Sequence, residues 1–176
     1  MRHLPNLISL GRILLIWPVL LSLRDGEYLL TLGWFVVAAL SDALDGFLAK
    51  RFHWTSALGR IIDPLADKLL LVTVFVYGAW LGLLPIWLAA AAVARDFVIG
   101  LGAMVFRAWF GPLHGRPTVI SKINTALQLV FCAFAILYAA RQVPPRELMD
   151  FLAVATLVTT LASGVHYLLR FVQRVW

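Results

Sequence analysis

Asp42, Asp45, Asp63 and Asp67 stand at the ends of two strongly apolar segments, with Gly46 and Gly59 between the pairs. Carboxylates at membrane depth are costly, so a cluster of them marks a functional site, and its natural occupant is a hard divalent cation. Asp42 and Asp45 are three residues apart with Ala49 continuing their stripe, and Asp63 and Asp67 are four apart, so each pair shares one helical face. Two antiparallel helix ends can then face each other with two carboxylates apiece. Short Asp side chains on rigid helices suit Mg²⁺ or Mn²⁺, which take octahedral oxygen ligation and keep positions for water or substrate phosphate. Four carboxylates repel one another unless cations sit between them. Two divalent ions per site would neutralise the four formal charges of this quartet and hold a diphosphate during in-line displacement. Gly46 and Gly59 remove side chains where a ligand or the other helix must approach, and Lys50 and Arg51 can offset further phosphate charge. The chemistry expected is phosphoryl or phosphodiester transfer at a membrane surface. A lone D-x-x-D is as readily a capped or solvated helix end; four aspartates with interleaved glycines favour a site.

The elements that position this quartet are membrane helices. Hydrophobic residues form 62% of the 176, charged residues 14%, and the mean hydropathy is +0.89, far from the balance of a soluble domain. About 20 apolar residues cross the hydrocarbon core as a helix. The chain offers six such stretches, near Ile8 to Leu23, Tyr28 to Leu48, Ile61 to Leu81, Leu84 to Phe106, Val119 to Ala140 and Leu148 to Phe171. Helices are the spans this pattern allows, because lipid offers no partner to free backbone groups. The expected fold is an all-α integral membrane protein: six transmembrane helices in one bundle, a single membrane domain over residues 1–176. No repeat or low-complexity tract interrupts it. Arg2 and His3 precede an apolar run as in a signal peptide, but Pro5, Asn6 and Arg12 break the run and no small-residue cleavage site follows. Leu4 to Arg12 reads instead as a short N-terminal interfacial segment leading into the first span.

Charge orients the bundle. Arg2, Lys50, Arg51, Arg60, Lys68, Arg107, Arg116, Lys122, Arg170 and Arg174 fall on one side, against Arg24, Arg141 and Arg146 on the other. The positive-inside rule puts both termini and the aspartates on the cytoplasmic side of a multi-pass protein, as in a bacterial inner membrane. The net charge of +6 is mostly this asymmetry with attraction to anionic lipid headgroups, so no nucleic-acid partner is expected. Trp80 and Trp87 flank the loop around Pro85 as interfacial anchors at the far surface. Asp25, Glu27, Glu147 and Asp150 lie in the two outer loops.

Other residues are read more sparingly. Arg95 and Asp96 lie mid-span, which demands a partner or a polar cavity; a structural pair and a substrate contact are equally good readings. Arg116 and Lys122 open the fifth span with two cations that suit an acceptor phosphate, ordinary positive-inside loop charge being the plainer account. Cys132 is expected to be a packed apolar thiol, and His3, His53, His114 and His166 form no ligand pattern. An intramembrane prenyltransferase also sets aspartate pairs around a diphosphate, and a small ion transporter also buries carboxylates. Release of pyrophosphate would mark the first class, and metal flux without lipid consumption the second.

The segment Ser41-Asp42-Ala43-Leu44-Asp45-Gly46-Phe47-Leu48-Ala49-Lys50, followed after eight residues by Gly59-Arg60-Ile61-Ile62-Asp63-Pro64-Leu65-Ala66-Asp67, resembles the D-x2-D-G-x2-A-R-x8-G-x3-D-x3-D signature of the CDP-alcohol phosphatidyltransferases. Lys50 stands where the family usually has Arg, keeping the charge but losing the planar fork. The opening Pro5-Asn6-Leu7-Ile8-Ser9-Leu10-Gly11-Arg12 is similar to the family's P-N-x-L-T-x-x-R, with Ser9 in place of Thr. The resemblance implies a homodimer of six-helix protomers that transfers a phosphatidyl group from CDP-diacylglycerol to an alcohol with release of CMP. It further implies that Asp42, Asp45 and Asp63 ligate divalent metal and that Asp67 ligates metal or takes the acceptor's proton. Asn6, Gly46, Ala49, Lys50 and Gly59 would bind the CDP-lipid, and Arg95, Arg116 and Lys122 the acceptor. The Arg95-Asp96 pair and the stretch from Arg116 to Thr125 look most like the cardiolipin synthases of the family, so phosphatidylglycerol is the first expected acceptor. Glycerol 3-phosphate is the close alternative.

Overall fold

The computed structural model describes residues 4–52, 59–110 and 118–175, and within them the side chains outside 4–9, 42–43, 45–52, 59–67, 106–108, 110 and 171–175. They form six helices: α1 (Leu4–Arg24), α2 (Tyr28–Phe52), α3 (Gly59–Trp80), α4 (Ile86–Phe110), α5 (Val119–Arg141) and α6 (Arg146–Val175). Leu4 to Arg12 is continuous with α1, so the expected lead-in and the first span are one helix. Arg12 is 1% exposed and sits one heptad before the buried Val19, which points this part of α1 into the bundle rather than along the lipid surface.

Each tight outer turn has a local cause. Gly26 and Gly82 close the α1–α2 and α3–α4 connections at φ of 75° and 73°, a region where a Cβ would be strained. Thr118 caps α5 by accepting a hydrogen bond from the Ser121 N–H at 3.2 Å. Short connections make antiparallel neighbours of α1 and α2, of α3 and α4, and of α5 and α6. The remaining contacts close a ring: α1 packs on α3, α4 on α6, and α5 on α2. Around the ring the order is therefore α1, α3, α4, α6, α5, α2. Helices α3 and α5 also meet, where the buried Phe75 and Phe131 rings stack with centroids 6.4 Å apart.

The solvation pattern is that of a membrane bundle. Large apolar side chains face outward on every helix, among them Leu14, Val37, Val76, Phe97, Val130 and Val158, while Arg12, Thr31, Asn124, Gln128, Thr156 and Ser163 are buried. Among the described residues, three helices are long and apolar enough to cross a membrane: Ile86–Val105, Val119–Arg141 and Arg146–Arg170. Tyr28–Ser41 and Lys68–Trp80 are shorter apolar stretches of α2 and α3. Trp80 and Trp87 flank the α3–α4 turn, 85% and 47% exposed, as expected of interfacial anchors. Cys132 is fully buried in the core, in agreement with a packed thiol.

Candidate active site

The acidic pairs share a helical register with positions that are buried further along α2 and α3. On α2, Thr31, Phe35 and Ala38 are buried, and stepping on by four and seven residues from Ala38 reaches Asp42 and Asp45. On α3, Asp63 and Asp67 precede the buried Leu70, Leu71 and Val74 at the same helical spacing. Both helices pack on α1, which lies between them in the ring and carries the buried Arg12. By residue spacing alone, the quartet is in helical register with these buried positions, toward the C-terminal end of α2 and the N-terminal end of α3. The side chains of all four aspartates lie outside the described residues, as do those of Asn6, Gly46, Ala49, Lys50 and Gly59, and Arg116 is outside altogether. Among the described residues no group of His, Cys, Asp and Glu side chains gathers as metal ligands.

Directly beside this quartet is a charged network that is fully described. Lys68, the residue after Asp67, places Nζ 3.0 Å from Asp96 Oδ1 on α4. The same oxygen accepts from Arg95 Nη1 at 2.5 Å. Arg95 Nη2 donates to Ser121 Oγ on α5 at 2.7 Å and to Ser163 Oγ on α6 at 2.6 Å. One guanidinium therefore ties α4, α5 and α6 together, and one carboxylate ties α4 to α3. Arg95 is only 8% exposed, and a buried charge of this kind is tolerable because a carboxylate and two hydroxyls replace its lost hydration. The mid-span pair noted in the sequence is paired both to itself and across three helices. Lys122, the other described acceptor candidate, follows Ser121 but is exposed, whereas Arg95 is buried. The two cations meet different surroundings.

Below the network a polar seam joins α5 to α6. Asn124 Oδ1 accepts from Thr160 Oγ1 at 2.8 Å and from Thr159 Oγ1 at 3.0 Å, and Gln128 Nε2 lies 3.5 Å from Thr160 Oγ1. Phe75 and Phe131 stand beyond it, about two turns, or roughly 10 Å, along α3 from Lys68, and fill the centre of the ring toward the far surface. The charged network and the polar seam lie toward one end of the bundle, with the Phe75–Phe131 packing beyond them; at the opposite end Thr31 donates to Ser22 between α1 and α2. Arg12, Lys68, Ser121, Ser163 and Asn124 were not singled out as site residues from the sequence. A charged or amide side chain inside an apolar span was the available signal for Arg12 and Asn124; Lys68 was absorbed into the charge asymmetry.

The chain is 32% identical over 181 residues to "Cardiolipin synthase (CMP-forming)" of Rattus norvegicus, covering 93% of this chain and 60% of that protein. It is 33% identical over 192 residues to "CDP-diacylglycerol--glycerol-3-phosphate 3-phosphatidyltransferase 1, chloroplastic" of Oryza sativa subsp. japonica, covering 97% of this chain and 57% of the relative. A protein of Salmonella choleraesuis named for the same glycerol-3-phosphate reaction is 32% identical over 149 residues, 75% of each chain. This chain thus spans only 60% of the rat protein's length and 57% of the rice protein's. The model of the CDP-alcohol phosphatidyltransferase family matches residues 2–165, nearly the full length: the chain belongs to that family.

Proposed function

We propose that the protein transfers a phosphatidyl group from CDP-diacylglycerol to a glycerol-type alcohol and releases CMP, with phosphatidylglycerol as the favoured acceptor and cardiolipin as the product. The observation that carries this reading is the spacing of Asp42, Asp45, Asp63 and Asp67, in helical register with buried positions of two helices that both pack on α1. An all-carboxylate donor set at this spacing fits a hard divalent cation, Mg²⁺ or Mn²⁺, and Asp42, Asp45, Asp63 and Asp67 would hold it, two ions per site. Such ions, when bound, neutralise diphosphate charge and stabilise the leaving group.

The remaining work falls to the chain. Asn6, Gly46, Ala49, Lys50 and Gly59 would seat the CDP moiety, the glycines and Ala49 by leaving room and Lys50 by its charge. Arg95, Arg116 and Lys122 would attract the acceptor's phosphate. The acceptor hydroxyl oxygen attacks the phosphorus that bears diacylglycerol, and the bond from that phosphorus to the bridging oxygen of the diphosphate breaks. CMP leaves with that oxygen, and the hydroxyl proton passes to an Asp67 carboxylate oxygen. Burial of Phe75 and Phe131 on the far side supports a site that opens toward a single membrane face, which the charge asymmetry assigns to the cytoplasm. A homodimer in the membrane is the assembly this reading carries.

Glycerol 3-phosphate is the second reading, favoured by relatives named for that acceptor at 32 to 33% identity, equal to the rat relative's 32%. Purified protein given CDP-diacylglycerol, Mg²⁺ or Mn²⁺ and each acceptor in turn is expected to make cardiolipin from phosphatidylglycerol. Phosphatidylglycerophosphate without cardiolipin would replace the first acceptor with the second. Asn in place of any one of the four aspartates, or excess chelator, should reduce CMP release to near background. Full activity in chelator would remove the divalent-cation reading.

A further inference from the structure

We propose that Lys68, held in position by Asp96, is a binding residue for a substrate phosphate, forming the α3–α4 wall of the site beside Asp67. Within the network, Asp96 serves two cations, Lys68 and Arg95, so the trio carries one positive charge in excess. The two cations are not equivalent. Arg95 is 7% exposed at its side chain and spends its terminal nitrogens on Asp96, Ser121 and Ser163. Lys68 is 44% exposed at its side chain, and among the described residues Asp96 is the partner of its ammonium. An ammonium has three donors, so one carboxylate partner among the described residues leaves this half-exposed group capacity for a further acceptor.

The anchoring explains how a flexible side chain would serve a site. A lysine carries about 2 kcal/mol of rotamer entropy, and a free one would lose it on binding each substrate. The bridge to Asp96, itself backed by Arg95, restricts the ammonium before the ligand arrives. Asp96 is therefore a positioning residue, acting through Lys68. An oxyanion is the ligand that suits an excess positive charge with open donors at the depth of Asp67. Both substrates of the proposed reaction carry one: the diphosphate of CDP-diacylglycerol, and the phosphate of either acceptor.

The inference rests on the transferase reading, and the test separates the two. Purified wild type, Lys68→Ala, Lys68→Arg and Asp96→Asn are compared by calorimetric binding of CDP and by KM and kcat for CDP-diacylglycerol and for each acceptor. Loss of one charged hydrogen bond is expected to weaken binding about ten- to a hundredfold in Lys68→Ala, with kcat changed far less. Lys68→Arg should restore most of it, and Asp96→Asn should weaken the same substrate by a smaller factor. A weaker CDP affinity identifies the diphosphate as the ligand; intact CDP binding with a raised acceptor KM identifies the acceptor phosphate. If Lys68→Ala leaves CDP affinity and both KM values unchanged while wild type turns over, the inference fails and the transferase reading stands. Wild type that neither binds CDP nor releases CMP overturns both. A fall in kcat alone, without rescue by Arg, would reduce Lys68 to a structural charge and also overturn the proposal.

Discussion

Lys50 illustrates what a single residue type decides. The position follows the Asp42, Asp45 and Ala49 stripe at the end of α2, and an ammonium there supplies charge without the planar two-pronged donor of Arg. Lys50→Arg is expected to retain activity, and Lys50→Ala to weaken use of CDP-diacylglycerol by about 1–3 kcal/mol, read as the ratio of kcat/KM values. Unchanged kinetics in the Ala variant would remove Lys50 from the substrate contact. Arg95 shows the converse. Its mid-span position announced that it needed partners, and Asp96 beside it was visible at once. Ser121 and Ser163 are 26 and 68 residues away, and no spacing rule links them to Arg95 before the helices pack.

At the scale of the element, the α5–α6 seam stands in for the hydrophobic drive that is missing between helices in lipid. Asn124 is fully buried and accepts from both Thr159 and Thr160, so Asn124→Leu removes the acceptor that joins the two helices. We expect it to lower stability by about 0.5–2 kcal/mol, seen as a lower midpoint of thermal unfolding in detergent. Gly33→Ala provides the contrast: a Cβ there meets nothing within 4 Å, and alanine favours helix over glycine by up to about 1 kcal/mol, so the midpoint should hold or rise. A drop for Gly33→Ala equal to that for Asn124→Leu would show general fragility of the bundle rather than a specific seam. The six apolar stretches foretold the six helices to within a few residues, because length and hydrophobicity alone specify a span. The seam escaped notice because Asn124, Gln128 and the threonines are scattered singly through apolar runs, and only the facing of α5 on α6 aligns them.

The described helices form a ring with an apolar exterior, and its expected orientation follows from charge. Arg24, Arg141 and Arg146 mark the end of the ring where α1 meets α2 and α5 meets α6; Lys50, Arg51, Arg60, Lys68 and Lys122 belong to the segments where α2 ends and α3 and α5 begin. In a Cys132→Ala background, single cysteines at Arg51 and Arg116 are expected to react with impermeant reagents from the cytoplasmic side only, and one at Glu147 from outside only. The reverse labelling would overturn the charge argument.

Chain-local physics determined a good deal of this protein. Hydrophobic run length set the helices, basic asymmetry set the expected orientation, and the spacing of Asp42, Asp45, Asp63 and Asp67 put each pair on one helical face. These properties depend on residues close together in the chain or on transfer from water to lipid, so they are legible in one dimension. Packing order is different. That α2 and α3 both lie against α1, and that α4, α5 and α6 converge on Arg95, depends on which helix surfaces fit together. Apolar surfaces are nearly interchangeable in lipid, so hydropathy carries no information about neighbours. Tertiary structure alone decided that Lys68 meets Asp96, because that contact exists only once α3 and α4 have turned the two side chains toward each other at one depth.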